Sequence, residues 1–140
     1  MVREARSADS SQIACLLGEL GYPSSELFVR GRLGHLSSNA ENPVFVAEYD
    51  GDIAGFLSFH IVPLLHLEGG LGRITALAVS ARYRGCGIGK SLVAAAECFA
   101  WEHGCERIEI TSGDHRPKAH AFYEAIGYRV DTRRFLKSRP

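Results

Sequence analysis

From Leu77 to Leu92 the chain reads Leu-Ala-Val-Ser-Ala-Arg-Tyr-Arg-Gly-Cys-Gly-Ile-Gly-Lys-Ser-Leu. An apolar, strand-like run enters a turn crowded with Arg and Gly, and an amphipathic helical pattern leaves it. The first amides of a helix have no intrahelical acceptor, and the macrodipole favours negative charge at that end. Glycines let the backbone approach an anion closely, and Arg84 and Lys90 add formal positive charge. These residues describe a cradle for a phosphate or pyrophosphate.

Three glycine-loop patterns compete for it. Gly89-Lys90-Ser91 ends as a P-loop does, but the first glycine of G-x-x-x-x-G-K-S/T falls on Arg84. A dinucleotide fingerprint starting at Gly85 needs glycine at position 90, which is Lys90. Both patterns also tend to follow a first strand, whereas roughly 80 residues precede this loop. The third pattern has Arg or Gln, two free positions, Gly, one free position, then Gly or Ala. It fits without a gap as Arg84-Gly85-Cys86-Gly87-Ile88-Gly89. In this the loop resembles the pyrophosphate-binding turn of the GNAT superfamily of acyl-CoA-dependent N-acetyltransferases. Ala119-His120-Ala121-Phe122-Tyr123-Glu124-Ala125-Ile126-Gly127-Tyr128 resembles the late helix of that family, with an aromatic pair ahead of Gly and Phe or Tyr. The two motifs stand in the family order, and the resemblance covers most of the chain from about Val44 onward.

The resemblance implies a mixed, mostly antiparallel twisted central sheet flanked by helices, an α/β (α+β) fold whose central strands splay apart. It implies direct transfer of an acetyl group from acetyl-CoA to a primary amine of a small molecule or protein, in a ternary complex. Arg84, Gly85, Cys86, Gly87, Ile88, Gly89, Lys90 and Ser91 would hold the pyrophosphate, and backbone groups of Leu77 and Val79 would pair with the pantetheine arm. Tyr123 stands where the family places its general acid, and a phenol of pKa about 10 is nearly matched to a departing thiolate. Two positions depart from the family. The strand before the loop reads Gly72-Arg73-Ile74-Thr75, without the carboxylate that serves many members as base. An amine of pKa near 10.4 costs about 4–5 kcal/mol to deprotonate at neutral pH, so the base must come from elsewhere or from a water chain. His60 is the candidate, with His66 and Glu68 behind it. Where many members carry an asparagine, this chain has Arg116, which would reach a CoA phosphate or the acceptor. The missing carboxylate keeps an alternative in play, a non-catalytic CoA-binding or protein-interaction module. The acceptor would enter beside Gly21 to Leu36 and Asp131 to Phe135, with Glu19, Glu26 and Glu41 available to attract a cation. An aminoglycoside, a metabolite amine, a polyamine and a protein amine all remain open, as does a homodimer.

These groups must be positioned by ordinary elements. Val2 to Arg6 reads as a short strand, and Ser7 or Asp9 can cap a helix carrying Ile13, Leu16, Leu17 and Leu20 up to Gly21. Ser24 or Ser25 starts a second helix with Leu27, Phe28, Leu33 and Leu36, weakened by Gly31 and Gly34. Asp50-Gly51 predicts a hairpin between Val44–Tyr49 and a second arm from Ile53 that Pro63 ends. Gly69-Gly70 then turns the chain into a strand from Gly72 to Val79, apolar on both faces and therefore central. Ile88, Leu92, Ala95, Ala96 and Phe99 mark the next helix, and Glu106 to Thr111 another strand. Pro117 opens a last helix, and Tyr128 to Val130 with Arg134 to Lys137 read as a closing strand pair.

At 140 residues this is a single domain, spanning 1–140. Sixteen basic residues balance sixteen acidic ones, so no nucleic-acid footprint or polybasic membrane anchor is expected. No stretch approaches the roughly 20 apolar residues of a membrane span, and the first residues lack a signal-peptide core. Cys15, Cys86, Cys98 and Cys105 have neither zinc-site nor disulfide spacing, so no metal and a cytoplasmic location are expected.

Overall fold

The computed structural model describes residues 1–111, 117–131 and 134–140. Val2–Glu4 (β1), Val44–Tyr49 (β2), Asp52–Leu64 (β3), Leu67–Val79 (β4) and Arg107–Ile110 (β5) lie side by side in that order in a five-stranded sheet. The first four run antiparallel to their neighbours and β5 runs parallel to β4, so the sheet is mixed and mostly antiparallel, as expected. Asp50 and Gly51 form the β2–β3 turn, both with left-handed φ (52° and 80°). That matches the twist of paired strands.

Helices Ser10–Leu20 (α1), Glu26–Ser37 (α2), Ile88–Glu102 (α3) and Pro117–Ala125 (α4) cover the sheet. Alternation along the strands divides the core. Phe45, Ala47, Ala54, Leu57 and Phe59 meet Ile88, Leu92, Val93, Ala96 and Ala100 of α3 on one face, with Phe122 of α4 packed against them. Val46, Ile53, Phe56 and Ala78 meet Ile13 and Leu16 of α1 and Val29 of α2 on the other. Among the described residues no helix is long and apolar enough to cross a membrane.

The structure corrects four expectations. Pro63 does not end β3, and the turn into β4 lies at Leu65–His66, not at Gly69–Gly70. The glycine at 69 serves a close approach instead, because a side chain there would run into the Gly104 carbonyl. Asp9 begins α1 but does not cap it with its side chain. Its carboxylate takes two bonds from the Arg3 guanidinium (2.8 and 3.0 Å) and one from the Arg6 amide (2.7 Å). In α2, capped by Ser25 as expected, Leu27 and Phe28 face outward and the inward residue of that turn is Val29. Tyr128–Asp131 and Arg134–Pro140 form no strand, and Val130, Phe135 and Leu136 are exposed.

Candidate active site

β4 leaves the sheet at Val79 and passes through a 3-10 turn, Ala81–Tyr83, before α3 begins. Gly85 and Gly87 take left-handed φ angles of 81° and 77°, which residues with a Cβ rarely adopt. The consequence is a row of unpaired donors. Among the described residues none of the amides from Gly85 to Lys90 finds an intramolecular acceptor, and Ser91 is the first to bond back, to Gly87 O at 3.0 Å. The Arg84, Cys86, Lys90 and Ser91 side chains are exposed. Neither Arg84 nor Lys90 has an ion-pair partner among the described residues. The Ile88 side chain is buried in the core, so only its amide faces the cradle. Gly89 is small for a different reason. A Cβ there would stand 3.2 Å from Cζ of Phe122, the ring that brings α4 against the start of α3.

Beside the cradle the sheet is open. β5 pairs with β4 only from Leu71 to Ile74, and β4 continues to Val79. A bulge marks the parting point, where Ser58 pairs with Ala76 and Phe59 with Ile74, leaving Thr75 extra. Beyond it the Ser80 amide donates to Ala54 O at 2.7 Å. Antiparallel ladders alternate, so Ala76 and Ala78 bond to β3 while Leu77 and Val79 turn their N–H and C=O groups into the gap. Both residues are half-buried. The gap is therefore lined by unpaired strand backbone, the kind of edge an extended ligand can join.

On α4, Tyr123 is half-buried, with its ring edge-on to Phe122 (centroids 5.4 Å apart) and to Tyr128 (6.3 Å). The Tyr128 hydroxyl donates to Glu97 at 3.0 Å, and burial, then the Glu97 charge, push it well above the usual phenol range. Tyr128 thus holds its proton. Arg116 lies outside the described residues.

A polar cluster occupies the other face of the sheet at the bulge. His60 Nδ1 lies 3.0 Å from Asn42 Oδ1, and its Nε2 lies 2.9 Å from Thr75 Oγ1. An oxygen on Asn42 assigns the proton to Nδ1, so Nε2 accepts from the Thr75 hydroxyl. Burial, and secondarily the nearby Arg73 charge, lower the His60 pKa below 6.5, which keeps the ring neutral at pH 7. Arg73, paired with His60 across the strands, bonds Glu109 (3.3 Å) and Thr111 (2.8 Å). The spacing of the chain gave no sign of Asn42 or Thr111, because the register that joins them to His60 and Arg73 is tertiary. His66 and Glu68 are not brought here. They sit at the tip of the β3–β4 hairpin, roughly 23–30 Å along the chain from Thr75. Two of the acidic residues considered for a cation are engaged elsewhere. Glu19 accepts the Ala81 amide (3.1 Å) and Glu26 pairs with Arg30 (2.8 Å).

Comparison with known proteins agrees with this geometry. Residues 13–128 match the acetyltransferase (GNAT) family. The chain is 31% identical over 140 residues to an aminoalkylphosphonate N-acetyltransferase of Salmonella typhimurium, covering 98% of this chain and 90% of that one. It is 32% identical over 91 residues to a glucosamine 6-phosphate N-acetyltransferase of Trypanosoma brucei, covering 64% of this chain and 60% of the other. The fold superposes on an aminoglycoside N-acetyltransferase, AAC(6')-Iy, solved in complex with CoA, with a TM-score of 0.85 at 17% identity, over 100% of this chain and 93% of that one. The glycine cradle, the parted strands and the late aromatic helix are thus features of a chain that belongs to the GNAT acetyltransferase family.

Proposed function

We propose that this protein transfers an acetyl group from acetyl-CoA directly to the primary amine of a small molecule that also carries a phosphonate or phosphate. The observation that carries the reading is the pairing of a row of unsatisfied amides, Gly85 to Lys90, with the open edge at Leu77 and Val79. The first suits a pyrophosphate and the second an extended amide-bearing arm, and they lie end to end along the same chain. Arg84 and Lys90 add charge-assisted bonds, each worth about 1.5–3 kcal/mol. Acetyl-CoA, when bound, supplies a thioester whose acyl carbon accepts the amine and whose thiolate departs.

The residues of the chain manage the two protons. The Thr75 hydroxyl, exposed at the bulge, takes the ammonium proton and passes its own to His60 Nε2, while Asn42 holds the ring in the receiving tautomer. The Tyr123 hydroxyl donates to the leaving sulfur. Arg73, on the same face as His60, receives the acidic group of the acceptor. The preference for an anion-bearing amine is supported by the relatives that act on an aminoalkylphosphonate and on glucosamine 6-phosphate.

Calorimetric titration with acetyl-CoA, with ATP and Mg²⁺ as control, followed by CoA release with an aminoalkylphosphonate and an amino alcohol of equal length, tests the reading. Micromolar acetyl-CoA binding without ATP binding, and about tenfold higher kcat/KM for the phosphonate, are expected. Binding of acetyl-CoA without turnover of any amine would favour a CoA-binding module. Equal use of both amines would remove the anionic group from the acceptor.

A further inference from the structure

The amides of the cradle are only as well placed as the segment that leads into them. That segment, Ser80 to Arg84, carries an aromatic residue that the chemistry above does not use. Tyr83 is 7% exposed and directly precedes Arg84, yet it belongs to neither β4 nor α3. Its hydroxyl donates to Asp52 Oδ2 at 2.8 Å, and its ring meets Tyr49 edge-on at 5.2 Å between centroids. Both partners flank the tight Asp50–Gly51 turn at the end of the β2–β3 hairpin. The Ala81 amide is held from the opposite side by Glu19 of α1 at 3.1 Å. The Tyr83 amide closes the turn on Ser80 O at 2.9 Å. Arg82 packs over the Tyr83 ring and approaches Asp52 at 3.6 Å, but its side chain is 77% exposed and adds little order.

We infer that Tyr83 is a positioning residue for the pyrophosphate cradle, bolting the 84–90 segment to the β2–β3 hairpin through Asp52. The inference rests on the reading of that segment as the donor site. The physical argument is one of leverage. Gly85 and Gly87 give the backbone freedom that no side chain restrains, and the cradle donors are amides that must converge on one anion. Between the end of β4 and the first turn of α3, Tyr83 is the one large side chain of residues 80–87 that is buried, so it fixes the loop height. Removing its hydroxyl leaves the ring packed on Tyr49 but releases the bond to a carboxylate. The loop then samples other heights, and the amides lose their common focus.

Tyr83→Phe and Asp52→Asn test this with two donors, acetyl-CoA and S-acetylpantetheine, the second lacking the pyrophosphate. For Tyr83→Phe, KM and Kd for acetyl-CoA are expected to rise about tenfold with kcat within about twofold, as for loss of one charge-assisted bond. Turnover of S-acetylpantetheine is expected to be unchanged, which a merely structural role for Tyr83 does not predict. Asp52→Asn, with a half-exposed side chain, should give the same pattern, and the double variant no more than the larger single effect. Equal losses with both donors, or no loss with acetyl-CoA, would overturn the inference. Gly87→Val separates the two readings. If that change leaves acetyl-CoA affinity intact, the cradle assignment itself fails, whatever Tyr83 does.

Discussion

The two sides of the parted strands are built from different materials. On the proposed donor side, between β4 and α3, the working groups are backbone amides flanked by exposed side chains. On the proposed acceptor side, they are side chains from β3, β4, β5 and the loop before β2, with Thr111 just beyond β5, joined by hydrogen bonds of 2.8–3.3 Å. A backbone site is written in local sequence, because glycines at fixed offsets dictate it. A side-chain site is written in strand register, which only the folded sheet reveals. Substitutions should therefore read out differently on the two sides.

The largest effect is expected at the junction. Tyr123→Phe should lower kcat by about a hundredfold or more while leaving the Kd for acetyl-CoA unchanged, measured by steady-state kinetics and calorimetry. Retained turnover would remove Tyr123 from the proton path. Next comes His60→Gln, expected to lower kcat by about 10–100-fold, again without change in donor affinity. Here pH gives a sharper test. Because burial and Arg73 lower the His60 pKa, the neutral base persists at pH 7 and is lost only as pH falls through that lowered value. The acid limb of kcat should lie below pH 6.5 and vanish in the variant. A limb above 6.5 contradicts the assignment.

Gly87→Val belongs to the donor side and should reverse the pattern. It forces a β-branched residue to φ 77°, so KM for acetyl-CoA should rise about tenfold or more with a smaller change in kcat. If kcat falls instead, the distinction between the two sides collapses. The smallest effect is expected for Arg73→Gln. It should raise KM about fivefold for an anionic acceptor, leave an uncharged amine unaffected, and move the acid limb upward toward 6.5 as the nearby positive charge is removed.

The same contrast explains what could be read before folding. The glycine turn before α3, the Asp50–Gly51 hairpin and the α3 stripe were legible because each is a local pattern with one physical meaning. Gly69–Gly70 misled because glycine has two meanings, a turn and a close approach, and at Gly69 the second applies. In α2 the outward Leu27 and Phe28 outnumber the inward Val29 in that turn, so apolar residues alone gave the wrong face. Tyr128 to Val130 and Arg134 to Lys137 have strand-like composition, but composition does not supply a neighbour, and these residues pair with none among those described. The base was narrowed to three candidates from sequence. His60 stood first among them, and the fold sets His66 and Glu68 apart at the tip of the β3–β4 hairpin.

Thr75 carries a consequence for how this edge can change over time. Before the bulge, the odd-numbered residues Leu71 and Arg73 bond to β3, and after it the even-numbered Ala76 and Ala78 do. The bulge acts as a parity switch in the strand. It decides which alternate residues face the gap, independently of what side chains they carry. Point substitutions at Leu77 or Val79 leave the backbone groups in place, so the donor edge tolerates side-chain drift. Loss of one residue at Thr75 would only make the ladder regular, with Ala76 still opposite Ser58 and Ala78 still opposite Phe56, so the same sets would keep facing β3 and the gap. This stretch of chain is thus robust to mutation of its letters and, at the bulge, to the loss of one of them.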